Sequence, residues 1–269
     1  MQLDRASPAA ALRNCVRCFE QRKASIGGDA VVYPLVARPD MFLEFYLRQR
    51  YLVRERQSGV HDLAPCSVVV GPSTYRRSEL VLCGHFDVFT IQFNASGFHS
   101  LFRAPMTELA DRAYDARSVV GPCVSDIEQR LGDAASFEGR VEVANDFLLQ
   151  RRREPDLIDG VAAVANRLFR DPATFRVGDA PASAGLSVRQ FERRFAEQVG
   201  LPPKQYASII RFNAALQAKT IAPQRLWTEI AHEFGYYDQM HMIRDFERFA
   251  GESPAAVMRQ IAASSQSWM

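Results

Sequence analysis

Residues 185–195 read Gly185-Leu186-Ser187-Val188-Arg189-Gln190-Phe191-Glu192-Arg193-Arg194-Phe195. A glycine for a tight turn, a hydroxyl that can cap, a Gln three residues after it and apolar residues at helical spacing together mark the start of a helix. Stepping about 100° per residue from Phe191, the side chains of Phe195, Val199 and Val188 fall within about 80° of it, and all four are assigned to the packing face. Glu192, Ala196, Arg189 and Arg193 fall at roughly 100° to 200° and point outward. Long polar residues at 189 and 193, with small Ala196 between rows, suit close approach to the floor of a groove.

The pattern occurs twice. Gly185 matches Gly235 at an offset of 50, and Ser187, Phe191, Phe195, Gly200 and Pro203 match Asp238, Met242, Phe246, Gly251 and Pro254 at an offset of 51. The one-residue slip falls inside the turn, where insertions are tolerated. Two copies are too few for a solenoid and fit a duplicated helix-turn-helix. In the second copy Met242, Phe246 and Phe249 form the apolar stripe, Met240, His241 and Arg244 face out, and Gln239 and Ile243 flank them. Arg can bond bidentately to guanine and Gln to adenine, and apolar Met or Ile can contact a thymine methyl. His241 has a competing reading as a helix-packing residue, and Arg189 and Arg193 as a merely solvated face.

These residues, with Tyr206 and Arg211-Phe212 in the first half and Ile230-Ala231, Phe234-Gly235-Tyr236, Arg248 and Ser253-Pro254 in the second, resemble the AraC/XylS-type DNA-binding module over residues 157 to 262. The resemblance implies seven helices, with two recognition helices entering successive major grooves on one side of the duplex. It places DNA contacts at Ser187, Arg189, Gln190, Glu192 and Arg193 in the first copy, and at Gln239, Met240, His241, Ile243 and Arg244 in the second. Pro181 departs from the family, which usually has Ala there. It is harmless if Asp179 caps the helix, but that helix is then short and the first recognition helix less firmly seated. Val257 replaces a common aromatic near the end.

Upstream the chain reads as strands at Val31-Val32-Tyr33, Met41 to Val53, Ser67 to Gly71 and Glu79 to Phe93. Phe89, Ile91 and Phe93 alternate with Val88, Thr90 and Gln92, which predicts a half-buried strand. Short helices are expected at Gly97 to Phe102, Met106 to Ala110, Val124 to Leu131 and Arg140 to Arg153, the last ending in three cations that suit its C-terminal dipole. Pro155 marks a boundary, after which Asp156 could cap a helix to about Phe169. The expected fold is an α+β N-terminal domain, a β-rich sheet or barrel with trailing helices, over 1–155, followed by an all-α domain with two helix-turn-helix units over 156–269. The first part is similar to a β-rich domain of undefined role that often precedes such modules.

Composition narrows the classes. The chain has 269 residues, 47% hydrophobic and 24% charged, with net charge +2, values of a core-forming chain rather than a disordered one. All but Lys23, Lys204 and Lys219 of the 33 basic residues are Arg. No apolar run approaches the ~20 residues of a membrane span, and Met1 to Ala11 lacks the apolar core of a signal peptide. Five cysteines without framework spacing favour reduced thiols in a cytoplasm. No nucleophile elbow, phosphate loop or dinucleotide fingerprint is present. His232-Glu233 lacks a second His at 236, and His61, His85 and His99 are scattered, so neither a metal nor another cofactor is expected. The sequence therefore predicts a regulator rather than an enzyme. The expected partners are double-stranded DNA, RNA polymerase, a small-molecule effector and a second copy of the chain, with no membrane. The competing reading is a thiol-based sensor or enzyme using Cys15, Cys18 or Cys83, which requires an exposed thiol of lowered pKa.

Overall fold

The computed structural model describes residues 2–152, 159–172 and 177–266. The N-terminal part is an antiparallel sheet of eight strands: β1 (Gln2–Ala6), β2 (Val16–Pro34), β3 (Met41–Tyr46), β4 (Leu52–Glu55), β5 (His61–Leu63), β6 (Ser67–Val70), β7 (Ser78–Phe93) and β8 (Ala113–Asp115). The order is β1-β2-β7-β3-β6-β8, with β4 joining the early part of β7 and carrying β5. The long strands β2 and β7 pair almost throughout, with an irregularity between Ile26 and Val31. The glycine pair there includes Gly28 at φ 90°, a conformation L side chains rarely adopt.

One face of this sheet carries Phe19, Leu43, Phe45, Phe89, Ile91 and Phe93. It is covered by α1 (Gly97–Phe102), α2 (Met106–Leu109), α4 (Val124–Asp133) and α5 (Phe137–Leu149), with the short α3 (Ala116–Val120) leading into α4. The predicted half-buried strand needs correction, because Val88 and Thr90 are as buried as Phe89 and Ile91. Val88 packs with Ile26, Tyr51, Leu82 and Phe86. The polar residues of the same face pair with one another: Arg22 bonds Glu44 at 2.6 Å and Thr90 at 3.1 Å, and Gln92 bonds Glu20 at 2.7 Å. Polar alternation here means internal pairing rather than contact with water.

Other boundaries shift too. The expected strand Met41 to Val53 is two strands, β3 and β4, interrupted after Tyr46. Val31-Val32-Tyr33 is only the end of β2. β1, β5 and β8 were not foreseen. Helix α5 begins at Phe137 rather than Arg140, because Ser136 caps it by accepting from the Gly139 N–H. At its end Arg151 donates to the Phe147 carbonyl and lies 3.6 Å over that ring, while Arg153 lies outside the described residues. Pro155 and Asp156 lie outside them as well. The cap of α6 (Gly160–Arg170) is Asp159, which accepts from the Val161 N–H.

The C-terminal part holds a second apolar core built from seven α-helices among the described residues. After α6 come α7 (Ala180–Ser183), α8 (Val188–Val199), α9 (Pro203–Ile221), α10 (Trp227–Glu233), α11 (Gln239–Ala250) and α12 (Pro254–Gln266). Phe191, Phe195, Phe212, Phe246 and Phe249 are fully buried in it. Pro181 sits in the first turn of α7 behind Asp179 and breaks nothing, but α7 is four residues long, as a late start requires.

The two cores meet. Ala37, from the segment after β2, is fully buried in the helical core. Its N–H donates to the Phe249 carbonyl at 2.9 Å, and its carbonyl accepts from Asn213 Nδ2 at 3.0 Å. Nearby, Arg56 pairs with Glu252 at 3.0 Å, Arg76 bonds Gln260 at 2.6 Å, and Ser264 donates to the Val32 carbonyl at 2.8 Å.

Candidate nucleic-acid interface

Both helix-turn-helix units are built by local rules. In the first, Gly185 turns at φ 66° and Ser187 caps α8. Gln190 Oε1 accepts from both the backbone N–H and the hydroxyl of Ser187, and the Gln190 N–H donates to Ser187 Oγ at 3.4 Å. Two predicted DNA-contact residues thus have side chains engaged with each other, fixing the helix tip. In the second, Gly235 turns at φ 69° and Asp238 caps α11 by accepting from the His241 N–H at 2.7 Å. Both recognition helices end on left-handed glycines, Gly200 and Gly251.

The outward faces are open. Arg189, Glu192, Arg193, Gln239, Met240 and Arg244 are exposed, as are Ser187 and Gln190. Ile243 and His241 are half-buried, and the His241 ring stands edge-on to Tyr236 with centroids 5.3 Å apart. His241 therefore has the packing contact that competed with its outward reading. The predicted stripes of Phe191, Phe195 and Val199, and of Met242, Phe246 and Phe249, are buried. Val188 is the exception: it was assigned to the packing face and is 61% exposed. It lies on the first turn, beyond the reach of the core, so its angle on the wheel does not bury it. Sequence reasoning also passed over Tyr237, which precedes the cap of α11 and is 93% exposed.

The sheet unit touches α8 at its far end rather than its tip. A side chain on Gly200 would place its Cβ 2.6 Å from the Met106 carbonyl of α2. Behind α8, Gln198 donates to Asp159, the cap of α6. Along this seam lies a cavity of about 480 Å³ bordered by Ser96, His99, Arg103, Asn166, Arg167 and Arg170, among others.

The thiol reading lacks its requirement at Cys15 and Cys18, while Cys83 is exposed. Cys15 and Cys18 are buried, and burial, reinforced by Glu20, pushes the Cys18 thiol up rather than down.

Residues 182–260 match the family model of a helix-turn-helix domain. The C-terminal part is an AraC-type helix-turn-helix domain. Domains of this type belong to DNA-binding transcriptional regulators, a family that is not enzymatic. Residues 4–115 match a domain of unknown function (DUF6597). Among solved structures, the chain is similar to ToxT from Vibrio cholerae at 11% identity and a TM-score of 0.50, over 90% of this chain and 98% of that one, which shows the shared two-part fold. It is also similar to the DNA-binding domain of AdpA in complex with a target DNA, at 28% identity and a TM-score of 0.36, covering 40% of this chain and 96% of that one. The AraC-like transcriptional activator CuxR aligns at 11% identity and a TM-score of 0.28, over 80% of this chain and 86% of that one. No curated protein matches.

Proposed function

We propose that residues 156–269 read duplex DNA through α8 and α11, and that residues 1–155 form the regulatory unit that biases them. The observation that carries this reading is the exposure of both capped helix tips, with Arg189, Arg193 and Arg244 on them, while the opposite stripe of each helix is buried. Arginine on such a face suits guanine edges and phosphates, so phosphate contacts would supply salt-dependent affinity and base-edge contacts the specificity. Two recognition helices joined by one long helix address sites about 34 Å apart, one duplex turn. The contact residues of this reading are Ser187, Arg189, Gln190, Glu192, Arg193, Gln239, Met240, His241, Ile243 and Arg244. Among these, Ser187 and Gln190 serve by holding the tip, where their exposed atoms would meet phosphates.

The seam cavity supports a small-molecule effector. Arg103, Arg167 and Arg170 give it positive walls, tempered by Asp159, and Gln198 connects that lining to α8. An effector lodged there favours one arrangement of the two units, and it changes DNA affinity only by its preference between arrangements. Regulation of transcription would then proceed through RNA polymerase, with a second copy of the chain on a repeated site.

Selection of bound fragments from a random DNA pool, followed by titration at two salt concentrations, tests the reading. The expected result is an enriched site of two blocks about one turn apart, bound less tightly at the higher salt. Uniform recovery of all sequences, or salt-independent binding, would contradict it.

A further inference from the structure

We propose that Val188 is a specificity-determining residue that reads the 5-methyl group of a thymine in the first half of the operator, an inference that rests on the DNA-binding reading above. Val188 is the first residue of α8, directly after the Ser187 cap, and it is 61% exposed although it is apolar. On the helix surface it lies one turn ahead of Glu192, since residues four apart are neighbours, so it extends the exposed Glu192 row toward the tip. The N-terminal residues of a recognition helix are the ones that meet base edges.

Three features suit Val188 to this task. A β-branched side chain has few rotamers, so its two methyls are presented in a fixed direction. The capping interaction between Ser187 and Gln190 fixes the turn that carries it. Exposed arginine runs along the outer side of the row, at Arg189 and Arg193, providing the charge that brings a phosphate backbone close. In the second unit Gln239 is the counterpart of Val188, and the exposed apolar residue of the first turn is its neighbour. Met240, in the first turn of α11, is 55% exposed and lies one turn ahead of Arg244. Each unit therefore places an exposed apolar side chain at the helix tip beside a long polar one. Thymine is the only base that offers an apolar group to the major groove, so this chemistry selects T over C, A and G.

The experiment uses the full chain and the site recovered from a random pool. At each thymine of the first block, uracil replaces thymine, which deletes only the 5-methyl. For the wild type, one such replacement is expected to weaken binding by about threefold to fivefold, the scale of one buried methyl. Val188→Ala is expected to bind the thymine site with a similar loss and to be indifferent to uracil there, while its response to changes in the second block stays that of the wild type. Val188→Thr, which keeps the shape and exchanges one methyl for a hydroxyl, should show a partial preference. If uracil is neutral at every thymine of the first block, or if Val188→Ala keeps the wild-type thymine preference, the assignment to Val188 is overturned while DNA reading stands. If no sequence is enriched from the pool, the DNA reading itself fails and the assignment falls with it.

Discussion

Asp245 lies on the inner side of α11, buried, with Oδ2 lacking a hydrogen-bond partner. Burial pushes its carboxyl up, and the nearby His241, Arg211 and Arg248 pull it part of the way back. The sign follows from linkage: a carboxyl that binds its proton more tightly in the folded state stabilises the fold at low pH, and that contribution is lost as the pH rises through its folded-state value. Thermal unfolding from neutral pH down to the ordinary carboxylate range should therefore show a stabilising component in the wild type that Asp245→Asn lacks. Coincident profiles for the two proteins would remove the argument. On the outer side of the same helix, Arg244 is exposed and four residues beyond Met240. Arg244→Ala is expected to cost about 1–3 kcal/mol on the preferred site and to relax selectivity at one position. Equal loss on every sequence would mark Arg244 as a phosphate contact instead. The sequence predicted the outward direction of Arg244, but not the unpaired oxygen of Asp245, which depends on what Tyr236 and α9 place around it.

At the scale of elements, side-chain caps fix where α3, α5, α6, α8 and α11 begin. Ser187→Ala should destabilise the helical part by about 1 kcal/mol, measured by denaturant unfolding, because it leaves the tip of α8 without its reciprocal bonds. Gly200 ends the same helix at φ 89° against α2. Gly200→Ala combines a left-handed penalty of roughly 1–2 kcal/mol with a clash against the Met106 carbonyl. Its loss should exceed that of Gly251→Ala, whose nearest neighbour is the flexible end of Arg56. Equal losses would mean that α2 yields freely. The glycines and caps of α8 and α11 could be read from sequence because each is a local steric or hydrogen-bonding requirement. The strands were harder. β8 is three residues long, and β2 is read as apolar only at its end, because its first half buries Glu20 and Gln21.

For the whole molecule, the docking of Ala37 into the helical core ties the sheet unit to α9 and α11. Asn213→Ala leaves the buried Ala37 carbonyl without its side-chain donor, at a cost of about 1–3 kcal/mol. The expected result is a lower denaturation midpoint for the full chain, and an unchanged midpoint would show that the segment does not couple the units. Contacts of the sheet unit reach α8 through Gly200, α11 through Ala37, and α12 through Arg76 and Val32. Any change in how the sheet unit sits therefore bears on both recognition helices together.

The chain's own order of residues determined the duplicated module, its caps, its glycine turns and the outward faces of α8 and α11, because each depends on neighbours within a turn or two. Only the tertiary structure decided that Val188 stands clear of the core, that His241 leans on Tyr236, that both faces of the long central strand are buried, and that Ala37 belongs to the helical core. Those outcomes depend on which distant segments come to lie alongside, and helical or strand periodicity carries no information about how far a core extends past the end of an element.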